Sequence, residues 1–341
     1  MSDLGTRMAA EMAEQPAVLG ALAARFDEVA ATVAAALPSP PAGVGFLARG
    51  SSDNAALLGR YAVEVATGLP TCLIAPSVLT AFGGQPSGFA GWLVVALSQS
   101  GETPEIVDLA DRYRAAGATV VAITNDAGSG LARAADVTVA LEAGRELAVP
   151  ATKTVTAQQL ATLAVGAALG GRTVVPDLSR LADRVETVLA DTAPVEECAA
   201  RLAASRRLAV VARGLCYPAA RETALKLQET TGAMAHAFST ADFRHGPIAV
   251  CGPDTPALLM AGGGPADADT RAVAADLAQR SAPVVSVGSD PADDLGWPAG
   301  DGATDCLLAT IRGQQLALSV SRWLGIDPDR PAGLRKVTAT H

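Results

Sequence analysis

The sequence predicts an α/β protein of two tandem doubly wound parallel-sheet domains, and three observations carry that prediction. Apolar runs of four to six residues alternate with longer segments of helical period, the pattern of a parallel sheet covered on both faces by helices. The runs form two sets: Val44–Ala48, Thr71–Ala75, Trp92–Leu97, Thr119–Thr124 and Val137–Leu141, then Arg207–Ala212, Ala257–Ala261, Pro283–Val287 and Asp305–Ala309. A single offset of 164 residues relates the sets without a gap. Ala48-Arg49-Gly50 recurs as Ala212-Arg213-Gly214, Val94-Val95-Ala96 falls on Leu258-Leu259-Met260, and Val120-Val121 with Asp126 falls on Val284-Val285 with Asp290. Register held across three strands points to an internal duplication.

The expected organisation is an N-terminal helical segment over 1–35, a first domain over 36–171, a linker over 172–194, a second domain over 195–328 and a tail over 329–341. The linker contains Pro176 and Pro194 and is expected to carry one helix around Leu178–Leu189. With 341 residues, half of them hydrophobic, the chain is long enough for two packed cores. Lys and Arg number 26 against 35 Asp and Glu, a net charge of −9 that makes nucleic acid and anionic lipid unexpected partners. No apolar run reaches the roughly 18 residues of a membrane span. The start, Met1-Ser2-Asp3, does not read as a secretory signal. Cys72, Cys198, Cys216, Cys251 and Cys306 are scattered, with no paired spacing, so neither a disulfide framework nor a metal site is expected. A cytoplasmic location and no cofactor follow as expectations.

The first chemical motif begins where the run Trp92–Leu97 meets Ser98-Gln99-Ser100-Gly101-Glu102-Thr103-Pro104. A helical period follows from Glu105 to near Gly117, with Thr103 suited to the N-cap and Pro104 to the first helical position. The hydroxyls therefore fall at the C-terminal edge of a parallel strand and the positive end of a helix, where open α/β sheets take anionic ligands. Such residues also serve simply as caps and turn formers. Against that reading, the second copy has Gly262-Gly263-Gly264-Pro265 at the same place, so the turn closes without hydroxyls. Ser98, Gln99, Ser100 and Thr103 then make a cradle for a small dianion. The turn after the first strand offers Ser51 and Ser52 as donors to a sugar or phosphate oxygen, or Ser52 or Asp53 as an N-cap. Its helix runs to about Thr67 and stops at Gly68.

In the second copy Glu222, Lys226 and Glu229 fall at i, i+4 and i+7, on one helical face. That face is either solvated, with one ion pair of a few tenths of a kcal/mol, or functional. We favour function, with Glu229 as a base and Lys226 beside it to keep the carboxylate ionised. Of the three histidines, His236 reads as structural, His245 stands beside Gly246-Pro247 in a turn, and His341 is terminal. Lys153 reads as a cap for a helix near Thr154 or a partner of Glu146.

Taken in order, Ala48 to Ser52, Ser98 to Thr103, Glu146 with Ala151-Thr152-Lys153, Ala224 to Glu229 and Arg244-His245-Gly246-Pro247 resemble the sugar isomerase (SIS) family. The resemblance is to the isomerase half of the glucosamine–fructose-6-phosphate aminotransferases and to stand-alone glucosamine-6-phosphate deaminases. It implies two flavodoxin-like domains, a homodimer with shared active sites, no metal and a hexose 6-phosphate substrate. By it Ser98, Gln99, Ser100 and Thr103 match phosphate-binding positions, Ser52 a sugar-contacting serine and Val149 a backbone contact. Glu229 matches the carboxylate that moves a proton between C1 and C2, and His245 matches the ring-opening histidine, usually reaching the partner subunit's site. Lys336, in Gly333-Leu334-Arg335-Lys336-Val337-Thr338, matches a lysine that can hold an open-chain ketose as a Schiff base.

There are departures. The family's Gly-Glu-Leu-Lys before the His-Gly-Pro reads Ala241-Asp242-Phe243-Arg244 here. The first strand begins near Val44, leaving no room before it for a glutaminase domain, so glutamine is not the expected nitrogen source. The expected reaction converts glucosamine 6-phosphate to fructose 6-phosphate and ammonia. Alternatives are dehydration or deglycation of an N-substituted hexosamine 6-phosphate, such as the N-acetyl form, and a non-catalytic sugar-phosphate sensor.

Overall fold

The structure, a computed structural model, describes residues 4–37, 40–170, 177–262, 264–300 and 302–336. Helices α1 (Thr6–Ala13), α2 (Gln15–Ala24) and α3 (Phe26–Ala36) precede the first sheet. There follow β1 (Gly43–Leu47), α4 (Ser51–Thr67), β2 (Thr71–Leu73), α5 (Ser77–Thr80), β3 (Trp92–Leu97), α6 (Pro104–Ala115), β4 (Thr119–Thr124), α7 (Gly130–Ala134), β5 (Val137–Ala140) and α8 (Lys153–Ala168). Then come α9 (Leu181–Ala190), α10 (Ala193–Leu202), β6 (Arg207–Ala212), α11 (Tyr217–Thr231), β7 (Met234–Ser239) and α12 (Thr240–Arg244). The chain ends with β8 (Ala257–Ala261), α13 (Asp267–Ala278), β9 (Val284–Gly288), β10 (Leu295–Gly296) and α14 (Gly302–Trp323). The described residues divide into two compact units, one of residues 18–146 and 153–170, the other of residues 4–17, 147–152 and 177–336.

Each unit holds one five-stranded parallel sheet, in the order β2-β1-β3-β4-β5 and β7-β6-β8-β9-β10. The order is the same in both. It reverses between β1 and β3 in one unit and between β6 and β8 in the other, which puts a ligand crevice at the C-terminal ends of those strands. Leu47 of β1 pairs with Ala96 of β3, so the turns after these two strands leave the sheet side by side. The central strands β1, β3, β4, β6 and β8 bury nearly every residue, as expected of a sheet covered on both faces; Val94, Ala96, Ile106, Leu109 and Tyr113 pack together in one unit, and Val211, Leu259, Phe243 and Leu277 in the other.

The duplication extends beyond the three strands from which it was read. β2 falls on β7, α4 on α11 and α6 on α13 at the same offset. Met234–Ser239 had no strand expectation because His236, which faces outward, interrupts the apolar run. Two expectations are corrected. Asp305–Ala309 is not a strand but part of α14, since a short apolar run reads alike as strand or buried helix, and α14 is buried on every side from Ala303 to Ser321. The segment expected to hold one helix continues into a second, α9 followed by α10, with Pro194 inside the first turn of α10. Residues 171–176, where that segment begins, lie outside the described residues, as do 1–3, Gly263, and 337–341 with Thr338 and His341.

The helix contacts repeat with their parts exchanged. A Cβ placed on Gly59 of α4 would stand 2.9 Å from the Thr162 Cβ of α8, and one placed on Gly313 of α14 would stand 2.9 Å from the Thr223 Cβ of α11. Thr223 is the duplicate of Gly59. The glycine that lets two helices close together sits on the earlier helix in one unit and on the later helix in the other.

Candidate active site

The turn after β3 is folded around its own hydroxyls. Ser98 is 5% exposed, its amide donates to the Ile123 carbonyl at 3.2 Å, and its Oγ lies 3.2 Å from Thr103 Oγ1. The Gly101 amide donates to Ser98 Oγ at 3.2 Å, and the Glu102 amide donates to Ser100 Oγ at 3.2 Å. Gly101 has φ +65°, and a Cβ there would stand 2.8 Å from Thr124 Oγ1, so only glycine fits. Thr103 is the N-cap residue and Pro104 opens α6, as expected, but the Thr103 side chain caps no helical N–H; it faces Ser98 instead. Its hydroxyl therefore belongs to the turn rather than to the helix. The Gln99 carbonyl accepts from the Asn125 amide at 3.1 Å, and the Gln99 and Ser100 side chains are half-buried.

The neighbouring turn after β1 opens α4 with Gly50, not Ser52 or Asp53, at the N-cap, and Gly68 ends the helix in the left-handed region. Ser51 is half-buried and Ser52 is buried. Arg49 donates through Nε to Glu105 Oε2 at 2.9 Å and through Nη2 to Oε1 at 3.0 Å, a two-point pair that ties the first turn to the start of α6. The Arg49 guanidinium is thus already engaged. Glu146 accepts from the Thr154 amide at 3.2 Å and from Thr154 Oγ1 at 2.7 Å, which makes Glu146 the cap of α8; Lys153 is the first residue of that helix and is buried.

In the other unit, α11 carries Glu222, Lys226 and Glu229 on one face, and that face is not solvated. The Glu222 and Lys226 side chains are fully buried and that of Glu229 is 20% exposed. Lys226 Nζ stands 3.3 Å from Glu222 Oε1 and donates a short hydrogen bond to Glu229 Oε2. Burial pushes the Glu229 carboxyl above the ordinary glutamate range; Lys226 opposes the shift, Glu222 adds to it, and Lys336 also opposes it. Burial works against the Lys226 charge, yet Glu222 and Glu229 together outweigh it and its pKa is raised. The structure therefore brings Glu229 and Lys226 together, and the Lys336 charge is felt at the Glu229 carboxyl. Val149 lies in a loop whose Leu147 and Ala148 amides donate to the buried carboxylate of Glu11, and the same loop is held by Gln314 Nε2 donating to the Thr152 carbonyl at 3.2 Å.

His245 follows α12 at its C-cap and is exposed. Among the described residues no hydrogen bond or ion pair joins it to Glu229. His236 is exposed on β7 with its ring 4.5 Å from that of Phe238. Sequence reasoning missed Glu11 and Glu105. Glu105 was open to discovery, because the Arg49–Glu105 pair recurs as Arg213 and Asp269 at the 164-residue offset. Glu11 was not, since its partners lie more than a hundred residues away with no spacing to mark them.

A family model for the SIS domain matches residues 44–168 and 201–299. The chain is 31% identical over 340 residues to a glutamine–fructose-6-phosphate aminotransferase (isomerizing) of Methanothermobacter thermautotrophicus, covering 96% of this chain and 56% of that protein. It thus spans about half the length of the curated relatives it matches. Among solved structures it resembles a candidate phosphosugar isomerase from Silicibacter pomeroyi DSS-3, with TM-score 0.84, 30% identity, and 95% and 99% of the two chains covered. It shares the fold of a glucosamine-6-phosphate deaminase from Thermotoga maritima, with TM-score 0.79, 22% identity, and 98% and 100% covered. The two matched segments coincide with the two copies found by the offset, and this chain belongs to the SIS domain family.

Proposed function

We propose that the chain is an aldose–ketose isomerase of amino-sugar phosphates that releases ammonia, converting glucosamine 6-phosphate and water to fructose 6-phosphate and ammonia. Ser98, Gln99, Ser100 and Thr103 hold the phosphate, with Ser51, Ser52 and the Val149 backbone on the sugar. His245 passes the C1 hydroxyl proton to the ring oxygen and opens the ring. Glu229 takes the C2 proton through an enolamine and returns it to C1, leaving an imine at C2. Water adds to that carbon and ammonia departs, giving the ketose. Lys226 holds the Glu229 carboxylate in place, and Lys336 keeps the ketose open as a Schiff base. A homodimer in which His245 serves the partner subunit's site, and a cytoplasmic location, belong to the same reading.

The observation that carries it is the buried Glu222–Lys226–Glu229 array: a carboxylate held by a buried cation and raised in pKa by burial is suited to taking and returning a proton. A mere sugar-phosphate sensor has no use for this array. The SIS relatives named for fructose 6-phosphate and glucosamine 6-phosphate support the substrate class. The test is a panel of hexosamine 6-phosphates with coupled ammonia and mass detection. Ammonia and a hexose phosphate are expected from glucosamine 6-phosphate, and Glu229→Gln should abolish both while leaving binding nearly intact. Binding without ammonia release rejects the reading; a dehydrated sugar or a released N-substituent moves the chain to the N-substituted alternatives.

A further inference from the structure

We propose that Asp269 is a positioning residue for His245, acting through Arg244; the inference rests on the reading of His245 as the ring-opening group. It comes from a difference between the two copies at positions related by the 164-residue offset. In the first copy Arg49 and Glu105 close on each other at two points, and the Glu105 side chain is 4% exposed. Their duplicates are Arg213 and Asp269. The acid is one methylene shorter, and its oxygens go to different arginines: Oδ2 accepts from Arg213 Nη1 at 2.6 Å and Oδ1 from Arg244 Nη1 at 2.6 Å. Arg244 reaches on through Nε to Asp276 Oδ2 at 3.2 Å. What is a closed pair in one copy is a bridge in the other, and its far arm ends one residue before His245.

The helix carrying that arm needs fastening. α12 has five residues, too few to hold a helix unaided. Phe243 is fully buried, Thr240 Oγ1 lies 2.9 Å from Thr270 Oγ1 of α13, and Arg244 engages two carboxylates of α13. His245 donates its backbone N–H to the Asp242 carbonyl at 3.1 Å, and Gly246 at φ +146° then turns the chain away. The exposed imidazole is therefore aimed by the last turn of α12, and the last side chain fastening that turn is Arg244. The ion pairs are too exposed to contribute much stability, with the Arg213 and Arg244 side chains 48% and 33% accessible. Their contribution is direction. A group that must reach a ring oxygen loses about a hundredfold in rate when misplaced by about 1 Å.

The experiment compares wild type with Asp269→Asn in three measurements. The first is turnover of cyclic glucosamine 6-phosphate. The second is solvent deuterium exchange at C1 of 5-deoxyfructose 6-phosphate, a ketose that lacks the hydroxyl for ring closure. The third is backbone amide exchange over residues 240–246. Asp269→Asn is expected to lower kcat on the cyclic sugar by about 10- to 100-fold with KM unchanged. It should leave exchange into the acyclic ketose at the wild-type rate and speed amide exchange over residues 240–246. Equal loss of both reactions, retention of both, or unchanged amide exchange overturns the proposal. A wild-type protein inert toward both sugars rejects the proposed function instead. Amide exchange then still decides whether Asp269 fastens the histidine segment: faster exchange sustains that role and unchanged exchange removes it.

Discussion

The helix after the first strand of each sheet carries Leu58, Ala62 and Val65 in α4 and, 164 residues on, Glu222, Lys226 and Glu229 in α11. The turn after the strand beside it differs the other way, with Ser98, Ser100 and Thr103 in one copy and Gly262, Gly264 and Asp267 in the other. One frame has thus kept turn hydroxyls together with an apolar helix, and the other has kept buried ions together with a glycine turn. The division has a physical basis. A phosphate cradle needs only a strand end and a helix start, which each sheet supplies at its switch point. Buried carboxylates need a cation in the same helix face, and α11 provides one where α4 has an alanine. Glu229 lies in the last turn of a helix running back along its own sheet, away from that sheet's ligand edge, so the acid does not depend on the vestigial glycine turn.

The widest break in this comparison should come at Lys226. Lys226→Met leaves Glu222 and Glu229 buried without their shared cation and should cost about 3–5 kcal/mol of stability, read by urea denaturation. Adding Glu222→Gln should return part of the loss, because one of the two stranded charges goes with it. Failure of the second change to help would mean that the array is not held together by charge. The cradle should follow. Ser98→Ala removes a donor to a dianion, an interaction of about 1.5–3 kcal/mol, and should weaken calorimetric binding of glucosamine 6-phosphate about 10- to 100-fold. Gly264→Ser, at the corresponding turn of the other copy, should leave that affinity unchanged.

How far these features could be read from the sequence depends on how local their causes are. Eight of the nine expected strands, the Thr103-Pro104 helix start and the spacing of Glu222, Lys226 and Glu229 are set by neighbours in the chain, and the structure reproduces them. α14 was misread at Asp305 because burial on all sides erases the period that separates a helix from a strand. The full burial of Lys226 could not be read either: the sequence places it on a face but does not say what covers that face. The role of Thr103 was half legible, since its position at the N-cap was predicted while its hydroxyl turned to Ser98, a matter of turn geometry. The Glu11 clamp on the Val149 loop depends wholly on tertiary structure.

The exchanged glycines offer a sharper test of the shared frame. Gly59→Ala places a methyl against the Phe46 ring and against Thr162 of the facing helix, Gly313→Ala places one against Thr223, and each should cost about 1–3 kcal/mol by overpacking. Thr162→Ala combined with Gly59→Ala should cost less than the two changes summed, and Thr223→Ala with Gly313→Ala should behave the same way, since both threonines give way toward the new methyl. Strict additivity in thermal unfolding in either copy would show that the two contacts are not the same joint with its parts exchanged.

The smallest effect, a shift in pH dependence, separates the copies most cleanly, because α4 has no titrating group where α11 has three. Glu229 must be ionised to take the C2 proton, so turnover should fall as pH drops through its pKa. Burial raises that pKa, and the acid limb of kcat should lie above the ordinary glutamate value of about 4.3. Lys336→Met removes a cation that opposes the rise, so the limb should move to higher pH; Glu222→Gln removes a like charge and should move it lower. Stability has the matching sign. The folded chain holds this proton more tightly than the unfolded chain, so the contribution of Glu229 is most favourable below the unfolded pKa and is lost as pH rises through the folded one. A limb that ignores both substitutions would mean that a group outside α11 sets the protonation state for catalysis, and Glu229 would then lose its place as the base.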